Sequence, residues 1–114
     1  MTELDKLEQY LKDNNIPYDR EDRDAKFLDD GVVWKEFHQI CVPCADSAKR
    51  SVPGSWDAIC HPGSYGYEQG LLEIYGSLVD EEKDGDSVAG WLTAEDVITR
   101  IERRSNGQGF TGRH

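Results

Sequence analysis

All three cysteines and two of the three histidines lie between His38 and Tyr75, so any site chemistry is expected in that block. Cys41-x-x-Cys44 has the first half-spacing of a structural zinc centre, which needs four soft or borderline ligands. Cys60 and His61 would have to complete it. Adjacent residues of a strand point to opposite faces, so that pair cannot serve one ion from a regular strand. The set Cys41, Cys44, Cys60 and His61 is an alternative reading. The primary one has Cys41 and Cys60 as small buried residues on neighbouring strands and Cys44 in a loop, with no metal and no cofactor. Cys41-Val42-Pro43-Cys44 also resembles a redox dithiol, which relies on a helix N-terminus to lower the first thiol's pKa. Residues 45–50 offer at most two helical turns before Val52-Pro53-Gly54, and the βαβ order of such proteins is missing.

A polar set follows: His38, Asp57, His61, Glu68 and Glu73. Histidine beside carboxylates is the material of general acid–base catalysis or of a divalent metal site. Asp57 and His61 are expected on one strand face. Glu68 has an ordinary role open to it, stabilising the positive end of a helix. Carboxylate nucleases pair their acids with a lysine, and none lies between Arg50 and Lys83. The glycine-rich run from Gly63 to Gly70 enters an element as a phosphate loop would. Its spacing fits neither a P-loop nor a dinucleotide fingerprint, and Glu68 would repel an anion. The acidic stretch Asp80 to Asp86 fails as a calcium loop, because position 12 counted from Asp80 is Trp91. No motif here names a reaction.

The elements that must position these residues are legible in part. Leu4, Leu7 and Leu11 recur at helical spacing, and Thr2 with Asp5 forms a capping box, giving a helix over 3–14 that Pro17 stops. Residues 18–24 are very polar and read as an edge strand or a loop. Asp30-Gly31 between Phe27-Leu28 and Val32-Val33-Trp34 signals a hairpin. Phe37 to Val42 and Trp56 to Cys60 read as strands, joined by an exposed loop over 43–54. Leu71, Ile74, Tyr75 and Leu78 predict a second helix over 67–78, although Gly70 and Gly76 each cost about 1 kcal/mol inside a helix. Thr93, with Asp96 three residues on, predicts a third helix to about Arg104. Residues 105–114 form a Gly-rich polar tail, expected to be disordered.

At 114 residues the chain is one domain, here bounded at 1–104. Only 37% of its residues are apolar and 32% are charged, so the core must be compact and partly aromatic. The net charge of −10 is uneven: residues 1–99 hold 22 acids against 9 bases, and residues 100–114 hold one acid against four arginines. Such a body repels phosphate backbones and acidic lipid, which argues against direct nucleic-acid or membrane binding. No apolar run approaches a membrane span, and the acidic N-terminus lacks the basic and apolar regions of a signal peptide. A cytoplasmic protein is expected, with its odd number of cysteines reduced.

The stretches His38-Gln39-Ile40-Cys41-Val42, Trp56-Asp57-Ala58-Ile59-Cys60, Gly63 to Gly76 and Gly90-Trp91-Leu92-Thr93-Ala94-Glu95-Asp96-Val97-Ile98 carry a resemblance. Together they make most of residues 3–102 similar to small acidic proteins of phages and prophages of Gram-positive gut bacteria. That group has no assigned activity, so no functional residue is carried over. The resemblance implies a bacterial host cytosol, an accessory gene and binding to a host or phage protein.

The resulting expectation is an α+β fold: an antiparallel sheet of three to four strands from Lys26 to Cys60 packed against two or three helices. Trp34, Ile40, Val42, Trp56, Leu71 and Ile98 are expected in or near the core. The leading function is a non-catalytic acidic protein-binding module acting on a basic partner surface. The alternative is a small metal-binding domain or metal-dependent enzyme using the His38–Glu73 block.

Overall fold

The computed structural model describes residues 1–28, 31–34, 36–44 and 54–105. Most of the loop expected over 43–54, Asp30 of the hairpin signal, the side chain of Trp34 and the tail lie outside the described residues. The fold is α+β. Five antiparallel strands form one sheet in the order β1-β4-β5-β6-β7, and β2 with β3 forms a separate two-stranded ribbon.

Helix α1 spans Glu3–Asp13 and begins with the expected capping box: the Thr2 hydroxyl accepts from the Asp5 N–H while the Asp5 carboxylate accepts from the Thr2 N–H. Its leucine stripe, Leu4, Leu7 and Leu11, is fully buried. Strand β1 (Asp19–Arg23) is the outer strand at one edge of the sheet, and its all-charged sequence protects that edge from pairing with another chain. The ribbon is β2 (Lys26–Leu28) with β3 (Gly31–Trp34). Strands β4 (Phe37–Val42) and β5 (Trp56–Ile59) pair in the centre, with Ile40 opposite Ala58 and Val42 opposite Trp56.

The sheet does not end at Cys60. Residues 67–78, expected as a helix, make a single 3₁₀ turn (Tyr67–Gln69) and then strand β6 (Leu72–Gly76). Glycines decide this. Gly66 and Gly70 both adopt left-handed backbone, φ 94° and 72°, and close the turn at each end. Gly76, φ 111°, lies so near β5 that a Cβ there would sit 2.6 Å from the Ser55 carbonyl oxygen. The apolar period in this segment is two: Leu72 and Ile74 are buried while Tyr75 is exposed. Leu71 is only partly buried as a result.

The acidic stretch is more ordered than a solvated loop. Asp80 caps a one-turn helix, α2 (Glu81–Asp84), by accepting from the Glu82 and Lys83 N–H groups. Strand β7 (Val88–Leu92) then forms the second edge, and α3 (Ala94–Ser105) packs back on α1 and β7. Thr93 and Asp96 exchange hydrogen bonds at 3.1 and 2.9 Å, the capping box the sequence predicts. A second cap comes from far along the chain: Glu3 Oε1 of α1 accepts from the Ala94 N–H at 2.7 Å. Side chains of α1 and α3 meet Ile40, Ala58, Leu72 and Ile74 on one sheet face, and this is the core. Among the described residues no helix is long and apolar enough to cross a membrane.

Candidate functional site

Two regions concentrate chemistry, one at each edge of the sheet. At the β1 edge the register sets Asp22 opposite His38, and both project toward the helices. His38 Nδ1 lies 2.8 Å from Asp22 Oδ1, and its Nε2 lies 2.9 Å from Glu36 Oε2. Ionised carboxylates only accept, so for both contacts to be hydrogen bonds both ring nitrogens must donate, as they do in imidazolium. Burial opposes that charge, but the two carboxylates outweigh it and hold the His38 pKa above its ordinary value. Burial likewise opposes the Asp22 charge, and His38 and Arg20 overcome it, keeping the carboxyl low. Glu36 is held low by hydrogen bonds from the Tyr67 hydroxyl and then from His38.

Arg20 extends the chain into α1. Its Nε and Nη2 donate to the two oxygens of Asp22 at 2.9 and 3.2 Å, and Nη1 reaches Asp5 at 2.9 Å and Glu8 at 3.0 Å. Glu8 also accepts from the Tyr18 hydroxyl at 2.7 Å; burial first, then that carboxylate, push the Tyr18 pKa up to about 12. A cavity of about 200 Å³ opens beside the chain, walled by Asp5, Arg20, Asp22, His38, Cys60 and Gly70. The arrangement is a clamp joining α1, β1, β4 and the 3₁₀ turn. While His38 stays protonated it has no lone pair for a substrate proton or a metal.

The other sequence candidates do not converge on His38. Asp57 lies on the far face of the sheet, where it accepts from Gln39 Nε2 at 2.8 Å. His61 falls beyond β5, so it does not share a strand face with Asp57. Its Nδ1 meets the Pro62 carbonyl oxygen at 2.9 Å and its ring stacks on Phe37. Glu68 is exposed in the 3₁₀ turn, and Glu73 accepts from the Tyr65 N–H at 2.8 Å. The cysteines are free thiols: Cys41 is buried, and Cys44 and Cys60 are partly buried. Burial first, then Glu36, raise the Cys60 thiol, which leaves it a weak nucleophile. Among the described residues no group of three or more His, Cys, Asp or Glu side chains is placed to hold a metal ion. Asp22 and Arg20 escape sequence reasoning because the β1–β4 register brings them beside β4, and Tyr67 because the 3₁₀ turn brings it to Glu36; Glu36 itself lies two residues from His38 and is open to a local reading.

The β7 edge is different in kind. Leu72 pairs with Leu92 but Ile74 pairs with Ala89, so two residue steps of β6 face three of β7. The extra residue is a bulge around Gly90 and Trp91. Trp91 adopts φ 55°, a left-handed backbone that costs a bulky residue roughly 1–2 kcal/mol. The bulge turns its indole outward, 58% exposed, where it stacks on Tyr65 with ring centres 5.0 Å apart and planes 14° from parallel. Asp84 and Asp86 line a cleft with Tyr65 and Trp91, and α2 carries exposed Glu81 and Glu82. Asp84 is bound by both Arg100 terminal nitrogens at 2.8 and 2.9 Å, and Arg100 also donates to the Leu78 carbonyl. The Arg100 guanidinium is the foremost cause of the low Asp84 pKa. Comparisons with protein-family models, curated proteins and solved structures give no match for this chain.

Proposed function

We propose that this chain is a non-catalytic acidic protein-binding module that engages a basic surface on a partner protein. In the setting its resemblance implies, that is an accessory factor in a bacterial host cytosol. The observation that supports this reading best is the contrast between the two acidic edges. At β1, Arg20 binds Asp22, Asp5 and Glu8, Arg23 binds Glu21, and His38 binds Asp22. Each of those carboxylates is held in an ion pair within the edge itself. Residues 80–86 carry five carboxylates against one lysine, and of these Asp84 is bound by Arg100. That edge projects negative charge, the feature that steers a basic partner.

The two edges are four strand spacings apart, about 19 Å. That exceeds the screening length of roughly 8 Å at physiological ionic strength, so each edge acts separately. Charge reversal at α2 (Glu81→Lys with Glu82→Lys) should therefore weaken binding to a lysine-rich peptide severalfold at low salt. Reversal at β1 (Asp19→Lys with Glu21→Lys) should weaken it less, and raised salt should suppress binding by the natural protein. Binding indifferent to salt and to both reversals would refute the proposal. So would tight binding of the protein to duplex DNA.

A further inference from the structure

We infer that the Tyr65–Trp91 stack is the specific seat on this module for an arginine side chain of the basic partner. This rests on the acidic-module reading and deepens it by naming the recognised group. Three observations converge on the stack. First, Trp91 is the largest exposed apolar side chain at this edge, and the backbone holds it there in a conformation L-residues avoid. Strain retained at an exposed position points from the outlier to a function.

Second, the stack is built tightly from below. Gly90 lies under Tyr65, where a Cβ would come within 2.3 Å of the Tyr65 Cβ. Gly66 lies under Trp91, where a Cβ would come within 3.0 Å of the Trp91 Cα. The Trp91 N–H donates to the Tyr65 carbonyl at 3.3 Å, and the Tyr65 N–H donates to Glu73 at 2.8 Å. The aromatic pair is thus set before any partner arrives, which lowers the entropy cost of binding.

Third, the pair is the common wall of two open clefts of about 430 and 400 Å³. Asp86 lines the first and Glu68 the second. Glu68 has no side-chain partner among the described residues. An aromatic face flanked by carboxylates suits a guanidinium, which is planar, stacks on indole and donates in a fork to a carboxylate. An ammonium meets the charge requirement but stacks less well.

The test titrates the intact protein with three capped tetrapeptides, of arginine, of lysine and of citrulline. Binding is read by calorimetry and by the Trp91 indole N–H resonance. Trp91→Gly identifies that resonance and is expected to stay folded, because glycine adopts φ 55° without strain. Arginine should shift the Trp91 signal saturably, lysine should bind more weakly, and citrulline should not bind. Trp91→Gly should weaken arginine binding about five- to tenfold, the size of one cation–π contact. If Trp91→Gly binds like the natural protein while Glu81→Lys with Glu82→Lys weakens binding, the stack is not the seat and the electrostatic reading survives. If neither variant has an effect, both readings fail. Citrulline binding as well as arginine would overturn cation recognition, and lysine binding as well as arginine would overturn the preference for guanidinium.

Discussion

Replacing Gly90 by alanine tests how the aromatic stack is attached to the body. Gly90 is in β7 and its φ is not in the left-handed region, so its backbone accepts a side chain. In an open strand the change would stabilise by roughly 0.5–1 kcal/mol. Here the new methyl would lie 2.3 Å from the Tyr65 Cβ, 3.2 Å from its Cγ and 3.3 Å from its carbonyl oxygen. Carbon atoms pack at about 3.5–4.0 Å, so Tyr65 must retreat by more than 1 Å. Overpacking costs roughly 1–3 kcal/mol, and a displaced Tyr65 forfeits the stack with Trp91, worth about 0.5–1.5 kcal/mol. The expected net loss is about 2 kcal/mol. For a domain of this size it lowers the melting temperature by on the order of 10 °C.

Urea melts supply the measurement, with near-ultraviolet dichroism reporting the Tyr65–Trp91 pair. Gly85→Ala is the control: nothing lies within 4 Å of its Cβ position, but its φ is +73°, so its cost of about 1 kcal/mol is conformational alone. It should leave the aromatic signal intact. In a Tyr65→Gly background the clash at Gly90 is gone, and Gly90→Ala should then cost little. A Gly90→Ala protein as stable as the original, with unchanged dichroism, would refute the seating of Tyr65 on β7.

Two further outcomes concern the caps and the clamp. Thr93→Ala should lower stability by about 1 kcal/mol in the same melts, the usual loss for one capping hydroxyl. It should cost no more, because Asp96 still accepts from the residue 93 N–H and Glu3 still caps Ala94; an unchanged midpoint would contradict the observed cap. His38 should make stability fall with rising pH. Its folded pKa is raised, so its contribution is fully present below the unfolded value near 6.5 and is lost as pH rises through the folded value. Glu3, Asp5, Asp22, Glu36 and Asp84 are lowered, so their contributions are present above the usual carboxylate range and are lost as pH falls through their folded values. Melts across pH should therefore show an optimum between these limbs. His38→Gln should flatten the alkaline limb and also weaken the acid limb, because His38 helps to hold Asp22 and Glu36 low; an unaltered alkaline limb would show that the ring is not held as imidazolium.

What the sequence disclosed follows from how local each signal is. The caps of α1 and α3 each lie within four residues, and both are found as expected. Ile40, Val42 and Trp56 are buried as the strand alternation requires, and Ile98 is partly buried against the core. β6 was hidden because Leu71, Ile74, Tyr75 and Leu78 also fit a helical period, and a short apolar run cannot separate the two. The glycines that decide it act through space: Gly76 against Ser55, and Gly66 against Leu71 and Trp91. The His38 clamp depends on strand register between two segments with very polar residues, which no local pattern encodes. The bulge at Trp91 is hidden for the same reason, since it exists only relative to the spacing of β6.

The two edge strands face one physical problem, unpaired backbone groups that invite another strand, and they answer it differently. β1 does so with charge: every residue from Asp19 to Arg23 is an acid or a base, and Arg20 pairs with Asp22 and Arg23 with Glu21. β7 does so with a bulge, which breaks the ladder and needs no particular side chain at the bulged position. Glycine would take φ 55° there without strain, and lysine would protect the edge at less exposed apolar area. Edge protection therefore accounts for the bulge but not for tryptophan on it. Core packing does not account for it either, because more than half of the side chain lies in solvent at 58% exposure. What remains specific to an indole at that point is its face, held parallel to Tyr65 and bordered by Glu68 and Asp86. A cation is the partner that would use both the aromatic face and the carboxylates that border it.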